Sequence, residues 1–211
     1  MFEPVTKKIF RWGTVDPEIS IMIYGHLLVK NGSSVLVDPP AVPGLEKMAT
    51  VLGKPEAVIM TNFSHTRGCV KVSNTLGVPL YIPDVRGSSE LKPEEEIRIH
   101  GLGAGIKYGE KTEMPLGLKA HYIRAEMPDG KLSVEEMALL HDDFLVVGDS
   151  AWGIDGKLNI FPTGVKKDEK GEMAESTRKA LVPVIRKTGA TGLLSGHMED
   201  ITEGLQGMVG K

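Results

Sequence analysis

The stretch AVIMTNFSHTRGCV, residues 57–70, decides how this chain folds. An apolar run through Met60 has the character of a buried strand, and it stops at Thr61. Asn62, Ser64, His65, Thr66 and Arg67 follow at close spacing, and Gly68 then opens a helical segment. A strand that runs into a polar loop and then a helix is where α/β proteins place their chemistry.

The segments on either side continue this pattern. Upstream, residues 19–30 read as a long apolar strand. Asn31-Gly32 is a two-residue hairpin turn, residues 35–38 (VLVD) are the return strand, and Pro39-Pro40 end it. Residues 44–53 place Leu45, Met48, Ala49 and Leu52 at helical spacing, with Gly53 as the stop. Downstream, residues 67–76 form a helix and VPLYIP a short buried strand. In residues 91–100 the run Glu94–Glu96 reads as a solvated turn ahead of an alternating strand. GLGAGIKYGE is a glycine-rich turn and lacks the spacing of a dinucleotide-binding fingerprint. LGLKAHYIRAE, EEMALLH and FLVVGD are strands, the last two joined by a turn at Asp142-Asp143. Residues 171–189 form a helix that kinks or breaks at Pro183. ATGLLSGH is a final strand, and residues 198–211 are a glycine-weakened terminal helix.

Composition sets outer bounds. The 211 residues carry 41% hydrophobic and 25% charged side chains and a net charge of −3, which is ordinary for a globular protein. Nothing in that balance points to nucleic acid or an anionic membrane as a partner. Cys69 is the one cysteine, so there is no disulfide framework. No apolar run approaches the roughly 20 residues of a membrane span, and MFEPVTKKIFRW lacks a signal-peptide core. The expectation is a cytoplasmic protein.

Three strands end in polar residues: the loop 61–67, VVGDS with Asp149, and LLSGH with His197. Strand ends of one sheet converge at an edge, so Asn62, Ser64, His65, Arg67, Asp149 and His197 are expected to share a pocket, with Asp38 beside it. Trp152 is a candidate for the pocket mouth, with plain packing as the alternative.

In order and spacing these four segments, Asp38 in VLVD, TNFSHTR, VVGD and SGH, resemble the metallo-β-lactamase superfamily over about residues 19–200. The resemblance implies an α+β fold, a four-layer αββα sandwich, here taken as one domain over residues 1–211. It also implies hydrolysis of esters, thioesters, lactams or phosphoesters by a hydroxide bound to zinc or iron. The departures are as informative as the match. Laid on the family's THxHxDH loop, the chain keeps Thr61 and puts Asn62, Ser64, Thr66 and Arg67 where the metal ligands stand. No histidine lies between His121 and His141, where the next ligand is expected; Asp149 and His197 alone match, and His65 sits at a spacer position. A divalent metal needs three or four donors from His, Cys, Asp or Glu, and a guanidinium has no lone pair to give.

The sequence thus leaves three functions open. The favoured one is a protein without the two-metal site or any metal cofactor, which binds a small polar or anionic molecule near Arg67 and keeps at most residual hydrolase chemistry. On this reading Arg67 replaces the metal's charge through a two-pronged bond to Asp149. The second is a hydrolase with one zinc or iron ion on His65, Asp149 and His197. The third is metal-free hydrolysis by Ser64 or Ser150 with His65 or His197 as base, although no GxSxG elbow supports it. On each reading the catalytic candidates include His65, Asp149 and His197. His26, His100, His121 and His141 read as packing or surface residues, and Cys69 as a small buried hydrophobe. The partner is a small molecule; a homo-oligomer is conceivable by analogy of edge strands.

Overall fold

The computed structural model describes residues 2–16, 20–85, 93–165 and 167–210. The first sheet orders its strands as β1 (Glu3–Pro4), β2 (Ile9–Val15), β3 (Met22–Lys30), β4 (Ser33–Val37), β5 (Lys54–Ile59), β6 (Leu80–Pro83) and β7 (Ile106–Tyr108). Pairing is antiparallel as far as β4 and parallel from there on. The change occurs because Asn31-Gly32 closes β3 onto β4 with both φ angles positive, while helices α1 (Leu45–Leu52) and α2 (Cys69–Leu76) carry the later crossovers. The second sheet has the order β13-β10-β9-β8, formed by Gly192–Ser195, Phe144–Val147, Leu132–His141 and Lys119–Glu126. A separate hairpin joins β11 (Ala151–Ile154) to β12 (Lys157–Ile160).

The second sheet is apolar on both faces, and successive residues alternate between two cores. Met137, Leu139, Val146 and Leu194 pack with the first sheet, α1 and α2. Their neighbours Ala138, Leu145, Val147 and Leu193 pack with helix α4 (Glu172–Thr188) and helix α5 (Leu205–Met208). The period-2 alternation of a strand produces both layers from one sequence run. The result is a four-layer αββα sandwich.

Several expectations change. Residues 93–99 are helix α3 (Pro93–Ile99) rather than a turn and a strand. Proline is favoured at the first helical position, the glutamates face the positive end of the helix dipole, and Glu96 meets His100 one turn on at 3.2 Å. The ends of two expected strands, Ile19 and Leu91-Lys92, lie outside the described residues. α4 runs unbroken past Pro183. The expected terminal helix shrinks to the four residues of α5, because residues 197–201 make bridges to strands instead, Gly153 with Glu199 and Leu193 with Ile201. Among the described residues no helix is long and apolar enough to cross a membrane.

Candidate functional site

Asp38, just past the end of β4, takes a left-handed backbone (φ 46°), which aspartate tolerates better than most residues. Its buried carboxylate accepts the Thr61 backbone N–H at 2.8 Å and the Thr61 hydroxyl at 2.6 Å, tying the ends of β4 and β5 together. Asp38 Oδ2 also lies 2.7 Å from His65 Nδ1. His65 ends a single 3₁₀ turn, Phe63–His65, and is 1% exposed. Although the sequence reading puts it at a spacer position, the turn points its ring inward. Its Nε2 is 3.1 Å from Asp149 Oδ1 and 3.3 Å from His197 Nε2. Asp149 also accepts from His197 Nε2 at 3.0 Å and from Asn62 Nδ2 at 2.9 Å.

Arg67 joins this cluster, but not as the sequence suggests. Its guanidinium donates to the Tyr24 carbonyl at 2.7 Å and the Gly196 carbonyl at 3.3 Å, and its Nη2 lies 2.8 Å from His65 Nε2. The hydrogen-bonding partners of Asp149 are instead His65, His197 and Asn62. The reason is local: Arg67 has a positive φ (34°), and the neighbouring β3 and β13 ends offer carbonyls, Tyr24 N–H itself bonding the Gly196 carbonyl at 2.9 Å.

Sequence reasoning missed the acid that supports Asp149. Glu136, in β9 and fully buried, accepts from Gly148 N at 3.0 Å, Asp149 N at 2.6 Å and Ser150 Oγ at 2.6 Å. An acidic residue inside a strand that is apolar on both faces was the available signal. The fit is close: a Cβ on Gly148 would stand 2.6 Å from both Asn62 Nδ2 and Thr61 Oγ1, and one on Gly196 would stand 2.4 Å from His65 Cε1. Ser150, a candidate nucleophile, is buried and spends its hydroxyl on Glu136. Of the other expected residues, Ser64 is exposed on the chamber wall, and Trp152 is 1% exposed and lines an adjoining apolar pocket. His26, expected to be packing, pairs with Asp200 at 3.1 Å.

These charges set the protonation states. Burial and the Arg67 charge push the His65 pKa down, but Asp149 and Asp38 outweigh them and raise it to about 9. Burial disfavours ionised Asp149, yet the His65 charge and the hydrogen bonds from His197 and His65 hold it well below the usual carboxylate range. Asp38 is lowered for the same kind of reason, chiefly by His65 against its burial. Burial and the nearby Asp149 raise Glu136. His65 Nε2 can therefore present a proton to Asp149 or a lone pair to Arg67, but not both.

The sign of the pH dependence follows. His65 is raised, so its contribution is complete below its unfolded value of 6.5 and is lost as pH rises through about 9. Asp38 and Asp149 are lowered, so theirs is present above the ordinary 3.8 and is lost in acid. Urea unfolding should show stability falling in acid as Asp38 and Asp149 take up protons, a loss above pH 4.5 from the raised Glu136, and a further decline of about 1–3 kcal/mol between pH 6.5 and about 9 as His65 loses its proton. A His65→Gln variant should lack the alkaline decline.

A metal of the kind the fold family uses finds few donors here. Asn62, Ser64 and Thr66 are poor neutral ligands and Arg67 is none, so the loop does not supply its share of a two-metal centre. Among the described residues one donor trio remains, His65, Asp149 and His197, with ligand atoms within 4.8 Å of one another. In that trio His65 Nε2 is taken up by a proton for Asp149 or by the Arg67 N–H.

No family model matches the chain, and no curated protein matches it. Solved structures do. The DIM-1 metallo-β-lactamase exposed to ceftazidime superposes with a TM-score of 0.65 over 99% of this chain and 95% of that one, at 13% identity. A metallo-β-lactamase from Pontibacter korlensis gives 0.63 over 99% and 94%, at 10% identity. One from Hirschia baltica gives 0.60 over 95% and 91%, at 14% identity. The chain has the metallo-β-lactamase fold.

Proposed function

We propose that this metallo-β-lactamase fold works without a metal and uses the former metal cavity to bind a small polar molecule. The observation that carries this is Arg67: a permanent cation stands 2.8 Å from His65 Nε2, a nitrogen that a metal ion would need, and carbonyls of Tyr24 and Gly196 hold it there. The Arg67 guanidinium sets a fixed positive charge close to Asp38 and Asp149, which weakens the pull of those carboxylates on a divalent cation. The cavity in front of it has a volume of about 260 Å³ and is lined by Asn62, Ser64, His65, Arg67, Asp149 and His197.

The same geometry argues for binding over turnover. His197 Nε2 is engaged with Asp149 and its Nδ1 is buried without a partner among the described residues. His65 is enclosed by Asp38, Asp149, Arg67 and His197, which leaves Ser64 without a paired base. Hydrolysis, where any persists, rests on His65, Asp149 and His197.

The clustering of those three donors favours one competing reading, a hydrolase with a single zinc or iron ion. Elemental analysis of protein purified without chelators separates the two. The metal-free reading expects sub-stoichiometric metal that does not change in His197→Ala. One ion per chain, lost in His65→Ala and His197→Ala along with hydrolysis of ester, lactone or thioester substrates, would overturn it.

A further inference from the structure

The polar chamber does not end at its own walls. Ile21, Phe161 and Val165, with Asp149 and His197, also line a second pocket of about 190 Å³. Its remaining wall is largely apolar and includes Trp152, Met22 and Met198. Trp152 and Phe161 meet edge to face with centroids 6.3 Å apart. Around the opening Val165 is 50% exposed, Met22 40% and Met198 37%, an unusual grouping of large apolar side chains left in water. A cavity of roughly 150 Å³ with apolar walls accepts a benzene ring. This one is of that order.

The polar side has a mixed character. Asp16, Glu135 and Asp149 share its lining with one permanent cation, Arg67. Glu135 is itself engaged by the Tyr122 hydroxyl and by Arg124 at 3.6 Å. Asp149 is already held by His65 and His197, and Glu135 by Tyr122 and Arg124, so the wall offers no surplus positive charge to an anionic guest, which narrows the polar-or-anionic expectation to the polar half. A head group that both accepts and donates hydrogen bonds suits such a wall. Three buried polar atoms of the lining have no partner among the described residues: Asn62 Oδ1, His197 Nδ1 and Trp152 Nε1. Buried polar atoms are ordinarily paired, and these belong to residues that line the two chambers.

We infer that the ligand is an uncharged amphiphile, with a donor-and-acceptor head such as a primary amide in the polar chamber and an aromatic ring or short alkyl chain in the pocket beside Trp152 and Phe161. This rests on the polar-molecule reading above, and the test separates the two. NMR titrations of the full chain would use acetamide, phenylacetamide and phenylacetate. Phenylacetamide should bind about tenfold or more tighter than acetamide, from burial of the ring, and tighter than phenylacetate. Met22→Asp and Met198→Asp change exposed rim residues that line the apolar pocket and not the polar chamber, so the fold tolerates them. Each should remove most of the gain from the ring and leave acetamide binding unchanged. No gain from the ring, a gain that survives both variants, phenylacetate binding as tightly as the amide, or no binding of either amide would overturn the inference. If Arg67→Met leaves head-group binding intact while the ring gain persists, the Arg67 reading fails and the amphiphile stands.

Discussion

Asp38→Ala is expected to lower the unfolding free energy by about 3–5 kcal/mol, the range for removing one partner of a buried charge pair. The Asp38 side chain is 4% exposed and answers His65 Nδ1 at 2.7 Å, while it also accepts both hydrogen bonds from Thr61. Its loss leaves a buried imidazole and guanidinium, with Asp149 as the carboxylate still in hydrogen-bond contact with His65 among the described residues. Asp38→Asn keeps the left-handed backbone and the acceptor for Thr61, so it should cost less than alanine. Urea denaturation of both variants measures the difference. Equal and small losses in both would show that the carboxylate charge contributes nothing to the cluster.

The second large effect concerns Arg67→His. This change removes the cation from His65 Nε2 and adds an imidazole beside His65, Asp149 and His197. Four donors then face one cavity, the number a zinc site asks for. Histidine is among the residues that accept the positive φ of this position. The variant should bind zinc at least about tenfold more tightly than the parent chain, about 1.4 kcal/mol or more. Competition against a chromogenic chelator reads it out. If parent and variant bind zinc equally, Arg67 is not what keeps the metal away. Arg67→Lys is the useful control: it keeps the charge and loses the fork that spans the Tyr24 and Gly196 carbonyls, so it should lose stability without gaining metal.

Much of the fold was legible from residue patterns. The alternating and apolar runs located the central strands, Asn31-Gly32 and Asp142 marked hairpins, and glycines bounded α1, α2 and α4. The errors fell where tertiary contacts overrode the local pattern. Glu94–Glu96 looks solvated, yet Glu96 is 4% exposed and paired with His100 on one helix face. Residues 198–211 read as one helix, but Glu199 and Ile201 are drawn into bridges with β11 and β13. Strands β1, β2, β11 and β12 passed unnoticed because they are short, or because their polar residues break the alternation, and β7 lies inside the stretch read as a glycine-rich turn, where it pairs with β6.

For the site, the sequence by itself determined which residues stand at the strand ends and which metal ligands are missing, since both depend on residue identity at fixed spacing. Only the tertiary structure decided how those residues pair. Arg67 bonds carbonyls from positions 24 and 196, His65 turns inward from a spacer position, and Glu136 reaches Asp149 from a neighbouring strand. The Arg67 and His65 contacts join segments far apart in the chain, and the Glu136 contact crosses the β9–β10 hairpin. A guanidinium or carboxylate takes whichever partners the packed loops bring within about 3 Å, and no local periodicity encodes that.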